Sequence, residues 1–319
     1  MHTKPAGCKC DRRFLSATRV RFAFLLCACA TVAVLCSAQG LTVRNSSGVS
    51  IAIDSEDRNP ALVLFVPDGV VPDGPESDRG SKILFPEHVT VRAHGTSAQT
   101  HLYTFRPGQK EDAPQWTKVG NALQYERNFG DIHFAARATL LEDGILFRYE
   151  FTNDSTTDYD MATAVTDPRF RTIFYDPRLE RTYVHQSSGF ALLASETPGR
   201  LTMPLDVWFP VRYHASYTVP VPDQRVQHRD DGITYYYNSK VVDVPMIATL
   251  SEDRKWIAAS FARDPGNVWT NPQLTCQHVD PEVKLARGAR AAYEVKVLIF
   301  EGSLDDALNK VLAQRKGLQ

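Results

Sequence analysis

The stretch that decides the fold is His133–Phe151, HFAARATLLEDGILFRYEF. Two runs of alternating character flank Glu142-Asp143-Gly144. Successive side chains of an extended chain point to opposite faces. His133, Ala135, Arg137 and Thr139 therefore share one face, and Phe134, Ala136, Ala138 and Leu140 the other. Asp-Gly supplies the positive φ that a tight hairpin turn needs. The segment reads as a hairpin with one buried face. Gly144 is expected at positive φ, where Val would cost about 1 kcal/mol or more.

The same pattern extends outward in both directions. Period-two or short apolar runs occur at Val49–Ile53, Ala61–Val66, Val89–Ala93, Leu102–Phe105, Phe190–Ser195 and Val211–Thr218. They continue at Ile233–Tyr237, Met246–Leu250, Trp256–Phe261 and Ala291–Phe300. Asp230-Asp231-Gly232, Ser251-Glu252-Asp253 and Arg287-Gly288 supply further hairpin signals, while Val66–Arg79, Arg106–Pro114 and Asp264–Pro272 read as loops. Helical spacing is confined to the end of the chain. Ser303 stands as a cap before Asp305 and Asp306, and Leu304, Ala307, Leu308, Val311 and Leu312 follow at helical intervals. Strands without alternating helices exclude a parallel α/β sheet. The expectation is an all-β fold, a large antiparallel β-sandwich with a short C-terminal helix.

Residues 1–38 read as a signal peptide. Six basic residues lead into the uncharged apolar run Phe22–Leu35, and Cys36-Ser37-Ala38 offers small residues for cleavage after Ala38. An uncleaved anchor and lipid attachment at Cys29 are the alternatives. Residues 39–319 are then a single sandwich domain in a secreted or periplasmic protein. The whole chain has 36 basic and 37 acidic residues; residues 39–319 keep 30 and 36, a net charge of -6. That balance excludes nucleic-acid binding driven by positive charge. No run after the first 40 residues is apolar enough to span a membrane. Cys276 is the one cysteine left after residue 38, so no disulfide is expected within one chain. Oligomeric state is not encoded in any of these patterns.

Four stretches together carry a family likeness: ILFRYEFTNDS at 145–155, MIATLSEDRKWIAASFA at 246–262, WTNPQLTCQHVDP at 269–281 and LARGARAAYEVKVLIFEG at 285–302. Their order resembles secreted proteins of environmental bacteria whose sheets are similar to the galactose-mutarotase-like supersandwich. The resemblance implies carbohydrate chemistry: sugar epimerases, glycan hydrolases, lyases and non-catalytic sandwiches. The epimerase pattern of a Glu beside Ser-Gly-Phe is not reproduced, because Leu193 stands where the Glu would be after Ser188-Gly189-Phe190.

Among polar clusters, Cys276, His278 and Asp280 would share one side of an extended segment. A His two residues from an Asp suits an oriented acid/base, so His278 and Asp280 are candidate catalytic residues. His185, in the polar run before Ser188-Gly189-Phe190, is a third. Trp269, Asn271, Tyr235 and Tyr237 are candidate substrate-binding residues, offering ring faces and an amide for sugar hydroxyls. The competing reading is ordinary packing, with His278 bonded to backbone and Cys276 filling the core. Asp167-Pro168-Arg169 and Asp176-Pro177-Arg178 read as capped turns, the alternative being that they place Arg169 and Arg178 near acidic sugars. No second His or Cys stands at ligand spacing, so no metal is expected, and no nucleotide or cofactor motif occurs. The leading functional expectation is a glycan-binding sandwich. The alternatives are a sugar-active enzyme and a structural exported protein that docks a protein partner.

Overall fold

The computed structural model describes residues 41–54, 59–67, 80–102, 114–196, 211–218, 220–230 and 232–319. Residues 1–38, read above as a signal peptide, lie outside them, as do most of Leu102–Phe105, Val66–Arg79 and Arg106–Pro114.

Among the described residues, one large sheet has nine strands. In spatial order they are β14 (Gly189–Leu192), β13 (Thr182–Gln186), β18 (Val244–Leu250), β19 (Trp256–Ala262), β22 (Arg290–Glu301), β10 (Gly144–Asn153), β9 (Ile132–Leu141), β8 (Ala122–Phe129) and β7 (Thr117–Val119). Three smaller sheets accompany it. One runs β1 (Thr42–Arg44), β2 (Ser50–Ile53), β3 (Ala61–Phe65), β4 (Gly80–Leu84), β12 (Asp167–Arg169). The second runs β21 (Val283–Leu285), β11 (Tyr159–Ala164), β5 (Val89–Ala93), β6 (Thr100–Leu102). The third runs β16 (Val226–His228), β17 (Thr234–Tyr237), β15 (Val211–Ser216), β20 (Asn267–Thr270). Pairing is antiparallel except between β15 and β17.

The expected hairpin is β9–β10, paired from Leu141↔Gly144 to Ile132↔Asn153. Its inward face, with Phe134, Leu140, Ile145, Phe147, Tyr149 and Phe151, joins one core with residues of all three smaller sheets, including Leu62, Ile83, Val91 and Val268. That shared core makes the molecule a sandwich. Buried tyrosines tie its layers through their hydroxyls: Tyr125 donates to Phe85 O and Tyr293 to Ala164 O. A buried phenol needs such a partner.

Gly144 has φ 145°, but its constraint is also steric: a Cβ there would stand 2.0 Å from Val297 O on the neighbouring strand. The turn's Asp143 is engaged too. It accepts from Lys296 Nζ at 2.7 Å and from Gln314 Nε2 at 2.8 Å. Gln314 belongs to α1 (Leu304–Gln314), which starts in a reciprocal capping box between Ser303 and Asp306. Ala307 and Val311 of α1 lie against Met246, Ala248, Ala259 and Leu298 on the outer face of the large sheet. β18 is buried on both faces as a result, which is why its sequence runs apolar without alternating.

Two local readings are corrected. Arg287-Gly288 does not close a hairpin, because β21 pairs with β11 and β22 with β10, so the turn carries the chain between sheets. Asp264–Pro272 is not all loop, since Asn267–Thr270 is β20, paired with β15.

Candidate functional site

The segment after β20 is held between sheets by its backbone. Cys276 bridges Arg169 of β12, and His278 bridges Trp269 of β20. Between them, Gln277 points the other way into the large sheet. Its side-chain oxygen accepts from Ser260 N and Oγ, and its Nε2 donates to Thr249 Oγ1 and Ala258 O. Alternation then forces Cys276, His278 and Asp280 to one side, as the spacing predicts.

His278 is the centre of the constellation. Its ring lies on Trp269 with centroids 3.7 Å apart and planes within 3°. Its Nε2 is 3.1 Å from Cys276 Sγ and 3.4 Å from Asp167 Oδ1, and its Nδ1 is 3.5 Å from Asp280 Oδ2. Arg169 Nε donates to Asp167 Oδ2 at 2.6 Å, and Arg169 Nη2 to Glu87 Oε1 at 3.1 Å. Three buried atoms have no hydrogen-bond partner of good geometry: Asp167 Oδ1, His278 Nδ1 and Asp280 Oδ1.

Exposure divides this group into a floor and a rim. The side chains of His278 and Asp167 are 1% and 2% exposed, against 31% for Glu87 and 24% for Arg169. Burial disfavours the charge on His278, but Cys276, Asp167 and Asp280 outweigh it and hold the imidazole well above its ordinary value. Asp167 moves the opposite way: desolvation would raise it, yet His278 and Arg169 keep it low. Glu87 is raised by burial and by the neighbouring Asp167, against the pull of His278 and Arg169. His88 is driven down to about 4, by burial first and by His101 second. Its Nδ1 is 3.0 Å from Thr90 Oγ1, which in turn is 2.8 Å from His101 Nδ1.

Aromatic rings continue from the floor outward. His214 of β15 stacks on Trp269 at 5.6 Å and on Tyr237 at 5.0 Å, with Tyr235 4.9 Å away. Arg212 lies 5.4 Å from the Trp269 ring. Burial drives His214 down to about 3, so it is neutral near pH 7. Tyr236 takes the opposite face of β17 and stacks on Tyr213.

The structure thus brings His278, Asp280, Trp269, Tyr235 and Tyr237 into one neighbourhood. One face of Trp269 is taken by His278. Asn271 is buried, and its Oδ1 accepts from Leu274 N, so its amide shapes the turn. His185 belongs to a different set: its Nδ1 is 2.7 Å from Asp243 Oδ1 and its ring meets Phe190 edge-on. Glu87, His88, Asp167, Arg169, Arg212 and His214 were not among the residues expected from sequence. A signal existed for two of them. Asp-Pro-Arg reads as a turn, but in β12 the two-residue spacing puts Asp167 and Arg169 on one side, paired with each other. The second copy does cap a turn, with Asp176 accepting from Glu180 N and Arg181 N.

No family model matches the chain, and no curated protein matches it. Solved structures are similar across most of its length. The Slr1438 protein of Synechocystis sp. PCC 6803 matches with TM-score 0.48 at 10% identity, over 82% of this chain and 96% of its own. A galactose mutarotase related enzyme of Lactobacillus acidophilus matches with TM-score 0.44 at 9% identity, over 83% and 98%. The GH36 alpha-galactosidase AgaA of Geobacillus stearothermophilus matches with TM-score 0.45 at 11% identity, over 87% of this chain and 43% of its own. The chain itself is an all-β sandwich closed by one short C-terminal helix.

Proposed function

We propose that this chain is an exported protein that binds a sugar and moves a proton on it, with Glu87 as donor and His88 as acceptor. The carrying observation is that two side chains at one charge cluster are shifted in opposite directions: Glu87 upward and His88 down to about 4. A raised carboxyl moves toward the range in which it can donate a proton, and a lowered imidazole stays neutral and free to accept one. In this reading Arg169, Arg212, Tyr235 and Tyr237 position the sugar, while His278 and Asp167 form a fixed electrostatic floor. Their near-complete burial makes them unsuited to direct proton exchange with a ligand. The sugar class rests on the family resemblance and on the rings and guanidinium groups at the rim. Export rests on the basic, apolar and small-residue order of residues 1–38.

A second reading, glycan binding without turnover, is favoured by the continuous ring stack from Tyr237 through His214 to Trp269. One experiment separates the two. Single anomers of a panel of aldoses are mixed with the protein and their interconversion is followed by NMR, alongside binding by calorimetry. Acceleration that falls about 10²–10³-fold in Glu87→Gln, with binding retained, supports the proton-transfer reading. Binding without acceleration replaces it with the second. Neither binding nor acceleration removes sugar from both.

A further inference from the structure

Asp167, Cys276 and His278 each direct one donor atom into the same small volume, and the three atoms lie within 4.8 Å of one another. All three residues are buried. The donors are an oxygen, a sulfur and an imidazole nitrogen. Tetrahedral zinc with Zn–N of about 2.0–2.1 Å, Zn–S of about 2.3 Å and Zn–O of about 2.0–2.2 Å needs donor separations of roughly 3.4–3.6 Å. The observed Nε2–Sγ and Nε2–Oδ1 separations are 3.1 and 3.4 Å.

The surroundings favour a cation there. Asp167 Oδ2 is taken by Arg169, which leaves Oδ1 turned toward the other two donors, nearly inaccessible and without a hydrogen bond. The cation facing Oδ1 is the His278 imidazole at 3.4 Å, too far for a good hydrogen bond, so a metal ion held between them would satisfy the oxygen better. Cys276 Sγ accepts from Asn271 N at 3.3 Å, an arrangement that suits a thiolate. Asp280 stands at the far nitrogen of His278, 3.5 Å from Nδ1. A carboxylate at the outer nitrogen of a ligating histidine fixes the tautomer and strengthens the donor. Spacing along the chain hides the set, because Asp167 comes from a strand about a hundred residues upstream.

We propose that Asp167 Oδ1, Cys276 Sγ and His278 Nε2 form a divalent metal site, with Asp280 orienting His278 from behind, and that zinc is the ion this donor set fits. A sulfur, a nitrogen and an oxygen donor together suit a borderline-soft ion better than magnesium or calcium, which take oxygen alone. Three protein donors leave a coordination position for water or a substrate oxygen. A bound divalent ion would replace the His278 proton as the positive charge facing Asp167 and Asp280. The site goes beyond the sugar reading and stands without it.

The test uses the full chain, stripped of metal and titrated with Zn²⁺ and then Co²⁺. One tight equivalent is expected, with a thiolate-to-cobalt charge-transfer band. Cys276→Ser should lose both while the five cysteines before residue 39 remain. A band that survives in Cys276→Ser would assign the metal to those cysteines and overturn the proposal. So would a wild-type chain that binds no equivalent. Asp280→Asn keeps all three donors and should bind zinc about 10–100-fold more weakly with the cobalt band intact. It serves as the readout should Cys276→Ser fail to fold, and wild-type affinity in this variant would remove Asp280 from the site.

Discussion

The β9–β10–β22 centre of the large sheet and the Asp167–His278 cluster are both buried, and they are built on opposite terms. In the first, apolar side chains fill the core and the few polar atoms are matched, as with Tyr149 and Thr166 at 2.8 Å. In the second, charges are packed together and three buried atoms lack hydrogen bonds. Burying charge is favourable only when pairing is close to complete, and apolar replacements of buried ion pairs are often neutral or stabilising. The sheet centre is therefore where stability comes from. The cluster is a place where stability is given up, and that contrast is the main argument that it does something.

Three measurements can break or sharpen the contrast. In metal-free protein, Asp167→Ala should destabilise by about 3–5 kcal/mol in urea, because it strands His278 among too few opposite charges. Adding His278→Phe should recover most of the loss. If the double variant is as unstable as the single one, the cluster is structural. Gly144→Val should cost about 3 kcal/mol or more, from the positive φ and the clash with Val297 O. That exceeds the cost expected from the turn alone, and a melting temperature within a degree of wild type would show that the strands yield. The smallest effect concerns acid. His214 titrates near 3 in the fold against an ordinary 6.5. Between those values the unfolded chain takes up a proton that the native state does not, so stability falls as pH falls through this window. His214 should account for about 2–3 kcal/mol of the loss from pH 7 to pH 4, and His214→Phe should make the slope shallower, leaving the part that comes from His88. An equal slope in the variant would place the titration elsewhere.

The sheet was legible because alternation is a local property. His133–Phe151 needs no distant residue to be read as a hairpin, and Ser303 with Asp306 announces the helix start within four residues. β20 was missed because Pro265 and Pro272 bracket a four-residue strand that tertiary pairing with β15 stabilises. The site was half legible. Cys276, His278 and Asp280 share a side by period two alone. Their partners Glu87, Asp167 and Arg169 come from other sheets, and only pairing across the sandwich joins them. Trp269 does lie beside His278, but its stacking there depends on a single backbone bridge that no local pattern encodes.

The tip of the β9–β10 hairpin carries a practical consequence for engineering. Two-residue loops at a protein surface usually accept inserted peptides, since little depends on them. Here Asp143 is the shared acceptor for the sheet's Lys296 and the helix's Gln314. Lengthening this loop would pull that carboxylate away from a lysine that is 6% exposed and from the far end of α1. An epitope or reporter spliced in at Glu142 would loosen the C-terminal helix, although the helix starts 162 positions further along the chain, at Leu304. A graft site is better sought at the turn around Gly120, where a side chain would meet nothing within 4 Å.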